Sequence, residues 1–82
     1  MRVRVEFTTE PFQGEGELPE HVSAAADRLT EAGLEPDLGP LGTAVEGDAE
    51  AVLGVLGAAI GEALQAGATR VTLQLERADG HA

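Results

Sequence analysis

The sequence predicts an α+β domain in which a four-stranded antiparallel sheet carries two helices on one face. Two stretches, residues 2–8 and 70–77, alternate apolar and polar residues with the period of two that is typical of a half-buried strand. Between them, two stretches repeat apolar residues at the spacing of an amphipathic helix. A chain of 82 residues leaves room for one domain with a small core.

The two helices are marked by their ends as well as by their periodicity. The first begins near Pro19, which is tolerated in a first helical turn, and Gly33 is suited to end it. The second has Asp48 as its N-cap and Gly67 after its last turn. The predicted core faces comprise Val22, Ala25, Ala26 and Leu29 in the first helix and Val52, Val55, Leu56, Ala59, Ile60 and Ala63 in the second.

The segment between the helices is broken by prolines and glycines but keeps apolar residues between them. We predict two short strands there, over residues 34–39 and 41–46, with a tight reversal near Gly39 and Pro40. The order strand, helix, strand, strand, helix, strand is that of two split β-α-β units with right-handed crossovers, the ferredoxin-like arrangement. On the inner face, the helices are expected to cover Val3, Val5, Phe7, Val71, Leu73 and Leu75.

This single domain is predicted to span residues 1–78 and to be followed by a disordered tail over 79–82. The longest uncharged apolar run, residues 51–61, is too short to cross a bilayer, and the N-terminus lacks the hydrophobic core of a signal peptide. The chain also has no cysteine, as is common in reducing compartments. We therefore expect a cytoplasmic protein.

Composition excludes several classes of partner and chemistry. The chain carries 15 acidic residues against 5 basic ones, a formal net charge of −10, which argues against nucleic acid or a membrane surface as the partner. It has no cysteine, lysine or tyrosine and a single serine, so most covalent catalysis is excluded. The sequence favours a binding module over an enzyme.

The acidic loop that follows the first strand invites a metal hypothesis. It carries glutamates at 10, 15, 17 and 20, with His21 beside the last of them. These residues lack the ligand spacing of a calcium loop, and His81 is too distant in sequence to form a paired-histidine motif. A solvated acidic surface is favoured, and no metal site is predicted.

Three glycines of the second helix, Gly54, Gly57 and Gly61, fall together on the side opposite its core face. Inside a helix each costs roughly 0.8 to 1 kcal/mol relative to alanine. One interpretation is a close approach by a second subunit, which would bury apolar surface that a small core lacks. The other is compositional drift in a chain rich in glycine and alanine. We treat the three glycines as a candidate oligomer interface.

The segment from Gly39 to Asp48 is the densest cluster of special residues in the chain. Free backbone N–H groups at a helix start, the Thr43 hydroxyl and the Glu46 carboxylate could together hold a small ligand. The polar end of the first strand, residues 8–10, could line the same pocket. The alternative is a plain hairpin and helix cap. A phosphate loop is excluded because the GxxxxGK[ST] pattern is absent.

The same segment carries a family resemblance. Residues 33–48, with GTAVEG at positions 42–47, and residues 67–75, which begin GATRV, resemble the patterns of the small thiamine-binding protein family. The resemblance extends over residues 3–76. It implies a ferredoxin-like fold, non-catalytic binding of thiamine or its hydroxymethylpyrimidine moiety, and assembly into dimers or tetramers. The family signature falls on Gly42, Thr43, Glu46 and Gly47.

Thiamine is compatible with this composition. Its thiazolium is a permanent cation that an acidic protein attracts, and a carboxylate such as Glu46 or an amide such as Gln74 can hydrogen-bond its aminopyrimidine. Stacking would have to come from Phe7 or Phe12, since the chain has no tyrosine or tryptophan. No cofactor is expected besides thiamine as a ligand. The candidate ligand-binding residues are Thr8, Thr9, Glu10, Gly42, Thr43, Glu46, Gly47 and Gln74.

A function of another class remains open. The chain is also compatible with an assembly or regulatory domain that binds protein surfaces and has no small-molecule ligand. The three glycines of the second helix and the scarcity of aromatic side chains support this alternative.

Overall fold

A computed structural model describes residues 1–11, 18–40 and 42–78. The strands are β1 (Arg2–Glu10), β2 (Asp37–Leu38), β3 (Thr43–Asp48) and β4 (Arg70–Arg77), and the helices are α1 (Glu20–Glu31) and α2 (Ala49–Gln65). The strands form one antiparallel sheet in the order β2-β3-β1-β4. This topology confirms the ferredoxin-like α+β fold. The tail predicted over 79–82, Phe12 and most of the acidic loop lie outside the described residues.

The central strand β1 supplies the floor of the core. Its alternate residues Val3, Val5, Phe7 and Thr9 are buried on the inner face. The two helices lie over this face and pack against each other. The core is completed by Val45 from β3, Ala25 and Leu29 from α1, and Val52, Val55, Leu56, Ala59 and Ala63 from α2.

Both helices have the ends that the sequence predicts. The Asp48 carboxylate caps α2 by accepting a hydrogen bond from the Glu50 backbone N–H at 3.2 Å. Gly33 and Gly67 follow the two helices with φ angles of +88° and +113°, a conformation that favours glycine. Pro19 occupies the N-cap position of α1. Neither helix in the described part of the chain has the length and apolarity that crossing a membrane requires.

The strand predicted over residues 34–39 is wrong in extent, because only Asp37 and Leu38 form β2. The Leu34 N–H donates to the Leu29 carbonyl at 3.1 Å, so Leu34 belongs to the C-terminal cap of α1. The Gly39 N–H donates to the Gly42 carbonyl at 2.8 Å and closes the turn after β2. Consequently β3 begins at Thr43 instead of residue 41 and runs to the N-cap of α2.

The predicted burial of β4 is met in part by Val71, which is half-buried against the core, but is wrong for the two leucines that follow it. Leu73 and Leu75 lie on the inner face, opposite Phe7 and Val5, but remain 42% and 43% exposed. Strand β4 forms one edge of the sheet, while α2 packs beside α1 and lies mainly over β3 and β1. The edge strand therefore extends beyond the cover that the helices provide.

We predict that Gly54→Ala stabilises the protein. A Cβ atom built at Gly54, Gly57 or Gly61 meets no heavy atom within 4 Å in the described part of the chain. The substitution should therefore raise the free energy of unfolding by roughly 0.8 to 1 kcal/mol through helix propensity alone. Urea unfolding at a fixed protein concentration measures this change. A lower stability together with a loss of assembled mass would instead show that a second subunit packs against α2 at this position.

Candidate functional site

A cavity opens where β1 runs past its neighbour β3. Pairing of β1 with β3 ends at Phe7 and Thr43, whereas pairing with β4 continues to Glu10 and Arg70. Among the described residues, the last positions of β1 therefore have a strand on one side only. On the other side lie the turn between β2 and β3 and the start of α1. The cavity is lined by Phe7, Thr8, Thr9, Pro11, Leu18, Pro19, Val22, Gly39, Pro40, Gly42 and Thr43.

This inner cavity is small, with a volume of about 70 Å³. One water needs roughly 10–15 Å³ on this measure, so the space corresponds to about five water-sized atoms. Sites for drug-sized ligands usually occupy roughly 300–1,000 Å³. The described residues therefore enclose part of one ring and not a complete two-ring molecule.

Gly42 allows the turn between β2 and β3 to lie against β1. A Cβ atom at this position would lie 2.9 Å from the Phe7 carbonyl oxygen and 3.0 Å from the Thr8 Oγ1 atom. Because the first of these is a backbone atom, a side chain here would push the turn away from β1. The absence of a side chain at Gly42 thus sets the position of one cavity wall.

His21 connects the start of α1 to the end of β1. Its side chain is buried, and its Nε2 atom donates to the Pro11 carbonyl at 3.1 Å, since a carbonyl oxygen can only accept. In this tautomer the Nδ1 atom accepts a hydrogen bond from the Thr9 hydroxyl at 2.6 Å. We call Thr9, Pro11 and His21 the histidine clip. Two of its members, Thr9 and Pro11, also line the inner cavity, so the clip holds that wall in place.

The sequence interpretation considered His21 only as a metal ligand and missed this role. Its position was detectable, because Ala25 and Leu29 follow it by four and eight residues on the buried face of α1. No group of three or more histidine and acidic side chains that could hold a metal ion occurs within residues 1–11, 18–40 and 42–78.

A shallow groove of about 550 Å³ lies on the outer face of the sheet, next to the inner cavity. Its charged side chains are Arg4, Glu6 and Asp37. Arg4 forms an ion pair with Glu6, with 3.4 Å between Nη2 and Oε1. One positive and two negative side chains leave this outer groove net negative. The groove and the inner cavity share Phe7, Thr8, Gly39, Pro40 and Gly42.

The structure brings half of the predicted ligand residues together. Thr8, Thr9, Gly42 and Thr43 line the inner cavity. Gln74 lies on the outer face and lines the outer groove.

Three other predicted ligand residues line neither cavity. Glu10 follows Thr9, and its backbone carbonyl accepts a hydrogen bond from the Thr69 N–H at 2.7 Å. Glu46 lies three residues along β3 from Thr43, about 10 Å at the usual rise of a strand. Its exposed carboxylate is 3.5 Å from the Arg2 guanidinium. Gly47 is buried beside it.

Gly47 has a packing environment of its own. A Cβ atom there would lie 3.1 Å from the Leu34 side chain and 3.3 Å from the Val52 side chain. The lack of a side chain at Gly47 therefore makes room for the core where β3 joins α2. Its position next to Glu46 in the motif does not bring it to the inner cavity.

Solved structures share this fold. One is a domain of unknown function, DUF77, from Bacillus cereus, with 23% identity, a TM-score of 0.63 and coverage of 92% of this chain and 72% of that chain. Another is the hypothetical protein MJ1052 from Methanocaldococcus jannascii, with 24% identity, a TM-score of 0.66 and coverage of 98% and 84%. At these identities the likeness supports the fold alone.

A further similar structure, from Thermotoga maritima, is described as a "putative thiamine biosynthesis/salvage protein" (TM0486). It is 28% identical, with a TM-score of 0.64 and coverage of 93% of this chain and 81% of that chain. No protein of curated function gives a significant match. The family model described as thiamine-binding protein matches residues 5–80, a range that includes the inner cavity, most of β1 and the other three strands. This chain belongs to the thiamine-binding protein family.

Proposed function

We propose that this protein binds thiamine or its hydroxymethylpyrimidine moiety without catalysing a reaction, as a self-associating protein of the cytoplasm. The observation that carries the proposal is the inner cavity, whose wall contains Gly42 and Thr43 from the family signature. Membership of the thiamine-binding protein family supports the choice of ligand.

The inner cavity suits the pyrimidine end of the ligand. Phe7, Val22 and the neighbouring prolines offer apolar contacts, and Thr9 and Thr43 contribute hydroxyls. An aminopyrimidine presents ring nitrogens that accept hydrogen bonds and an amino group that donates them. The Thr43 hydroxyl can serve either, whereas the Thr9 hydroxyl, which donates to His21 Nδ1, can only accept from the amino group. Because the described residues enclose only part of a ring, the remainder of thiamine would extend beyond the cavity that they form.

The outer groove suits the cationic end. It adjoins the inner cavity and is net negative, with Glu6 and Asp37 among its lining residues. A thiazolium would be attracted both by this local charge and by the chain's formal net charge of −10. A phosphate group on the same ligand would be repelled.

An assembly or regulatory domain without a small-molecule ligand is the second candidate. It is favoured by the small volume of the inner cavity and by large apolar side chains exposed at one border of the molecule, among them Leu73 and Leu75. The two functions differ in whether free thiamine binds the isolated protein.

Isothermal titration calorimetry tests the binding function. We expect heat from thiamine and from hydroxymethylpyrimidine, and a Kd for thiamine diphosphate at least tenfold weaker than that for thiamine. Raising the salt concentration should weaken thiamine binding more than pyrimidine binding, because salt screens the attraction of the cation. The absence of heat with all three compounds would contradict the proposal and favour the assembly function.

Filling the inner cavity should abolish binding. Val22 lines the cavity and is half-buried, so Val22→Phe places a ring where the ligand is expected. We expect the Kd for thiamine to weaken at least tenfold. Ala51→Phe is the control, because it adds a phenyl ring to an exposed position of α2 remote from the cavity. Equal affinities for the two variants would place the ligand elsewhere.

Breaking the histidine clip should lower both stability and affinity. Thr9→Val keeps the shape of the side chain but leaves the buried Nδ1 atom of His21 without its donor, which costs roughly 1 to 3 kcal/mol in the free energy of unfolding. Affinity for thiamine should fall because Thr9 and Pro11 line the cavity.

Ser23→Ala provides the comparison for Thr9→Val in urea unfolding and calorimetry. It also removes a hydroxyl bonded to another residue, the Glu20 carbonyl, but at an exposed site where water replaces the bond. We expect a change within about 0.5 kcal/mol. If the two variants lost the same stability, the clip would have no special role.

A further inference from the structure

The edge strand β4 leaves apolar side chains uncovered on the inner face of the sheet. Leu73 and Leu75 pair with Phe7 and Val5 of β1, so all four point to the same side. Phe7 and Val5 are buried beneath the helices, whereas Leu73 and Leu75 are not. Burial of the apolar surface that these side chains still expose would be favourable, so a small domain forgoes stabilisation here.

The flank of α2 that borders β4 is apolar as well. Glu62 marks the opposite flank, because its carboxylate is 3.1 Å from the Arg28 guanidinium of α1. At about 100° per residue, Leu53 and Leu64 project about 180° to 200° away from Glu62. They are 52% and 49% exposed. We call Leu53, Leu64, Leu73 and Leu75 the leucine border.

The backbone of β4 is suited to pair with another strand. It is eight residues long and lies at the edge of the sheet, whereas β2 at the other edge has two residues. Residues 70–77 contain no proline or glycine that would interrupt a ladder. Only β4 therefore offers a long edge for continued pairing among the described strands.

We propose that two copies of this chain join through antiparallel pairing of β4 with the partner's β4, so that one eight-stranded sheet buries both leucine borders. This proposal rests on the self-association in the proposed function and is independent of ligand binding. We infer that the partner is a second copy of this chain because the β4 edge is complementary to itself. A two-fold axis places β4 of one copy opposite β4 of the other.

Side-chain complementarity selects one register, centred on Leu73. On the inner face it sets Leu73 opposite the partner's Leu73 and Val71 opposite the partner's Leu75. On the outer face it sets Arg70 opposite the partner's Glu76. A shift of two residues in either direction sets Arg70 against the partner's Gln74 or the partner's Ala78 and loses both charge pairs. A shift of one residue is excluded because it opposes inner and outer faces.

The outer face of the sheet is a poorer surface for a second copy. The strand registers place on it three arginines, Arg2, Arg4 and Arg70, and six carboxylates, Glu6, Glu10, Asp37, Glu46, Asp48 and Glu76. Packing two such faces together would bring an excess of negative charge against itself and would remove many charges from water. Charge therefore favours the β4 edge over the outer face.

Sedimentation equilibrium of Leu73→Lys and Leu38→Lys tests the interface. The two leucines are 42% and 43% exposed, at opposite edges of the sheet. We expect Leu73→Lys to weaken dimerisation at least tenfold, because two ammonium groups would meet at the two-fold axis, and Leu38→Lys to leave it unchanged. Far-UV circular dichroism checks that both variants remain folded. A Leu73→Lys variant that dimerises like the wild type overturns the proposal.

A charge swap tests the register. R70E and E76R should each dimerise about tenfold less well than the wild type, because each sets like charges opposite each other twice. An equimolar mixture of R70E and E76R should regain dimers, since the carboxylates of one variant then meet the guanidinium groups of the other. Within the chain, Arg70 lies opposite Glu10 and Glu76 lies opposite Arg4. Mixing the two variants does not restore those contacts within each chain. Recovery of dimers on mixing therefore reports only the pairing between subunits.

The outcomes separate this inference from the proposed function. A wild-type protein that is monomeric at all concentrations overturns both the interface and the proposed self-association. An oligomer whose mass withstands Leu73→Lys and both charge reversals overturns the β4 interface alone. A mixture of R70E and E76R that fails to dimerise, while Leu73→Lys is monomeric, overturns the register.

Discussion

The close approach between Gly42 and the end of β1 is the constraint on which the rest of the site depends. The Cα of Gly42 lies so near the Phe7 carbonyl that a Cβ would come within 2.9 Å of its oxygen. The turn before β3 can therefore lie directly against β1, and β3 pairs with β1 only from Thr43 onward. Beyond Phe7, β1 pairs with β4 but no longer with β3. The inner cavity forms beside this part of β1, in the space that β3 does not occupy.

The fold could be predicted because its signals are local. Alternation marks β1 and β4, and the Asp48 cap and the glycines after each helix mark where the helices begin and end. Coverage of Leu73 and Leu75 could not be predicted in the same way, since alternation shows which face a side chain shares and not whether a helix lies above it. The extent of β2 depended on Leu34, whose N–H completes a helix cap.

The candidate site was predictable in part for a related reason. Thr9 and Thr43 line the same cavity because strand ends that are neighbours in the topology are neighbours in space. The motif at positions 42–47 also predicted a site role for Glu46 and Gly47, but an extended strand carries them away from Gly42 at about 3.3 Å per residue. The signature thus combines residues with different tasks: Gly42 positions the cavity wall, and Gly47 makes room for the core.

Amide chemical-shift mapping of the ¹⁵N-labelled protein during a thiamine titration tests the central claim, that the ligand occupies the end of β1. The account predicts the largest shifts at Thr8, Thr9, Gly42 and Thr43, and small shifts at Gly47. Saturable shifts that are largest around Gly47, or that are confined to residues outside the inner cavity and the outer groove, would contradict it.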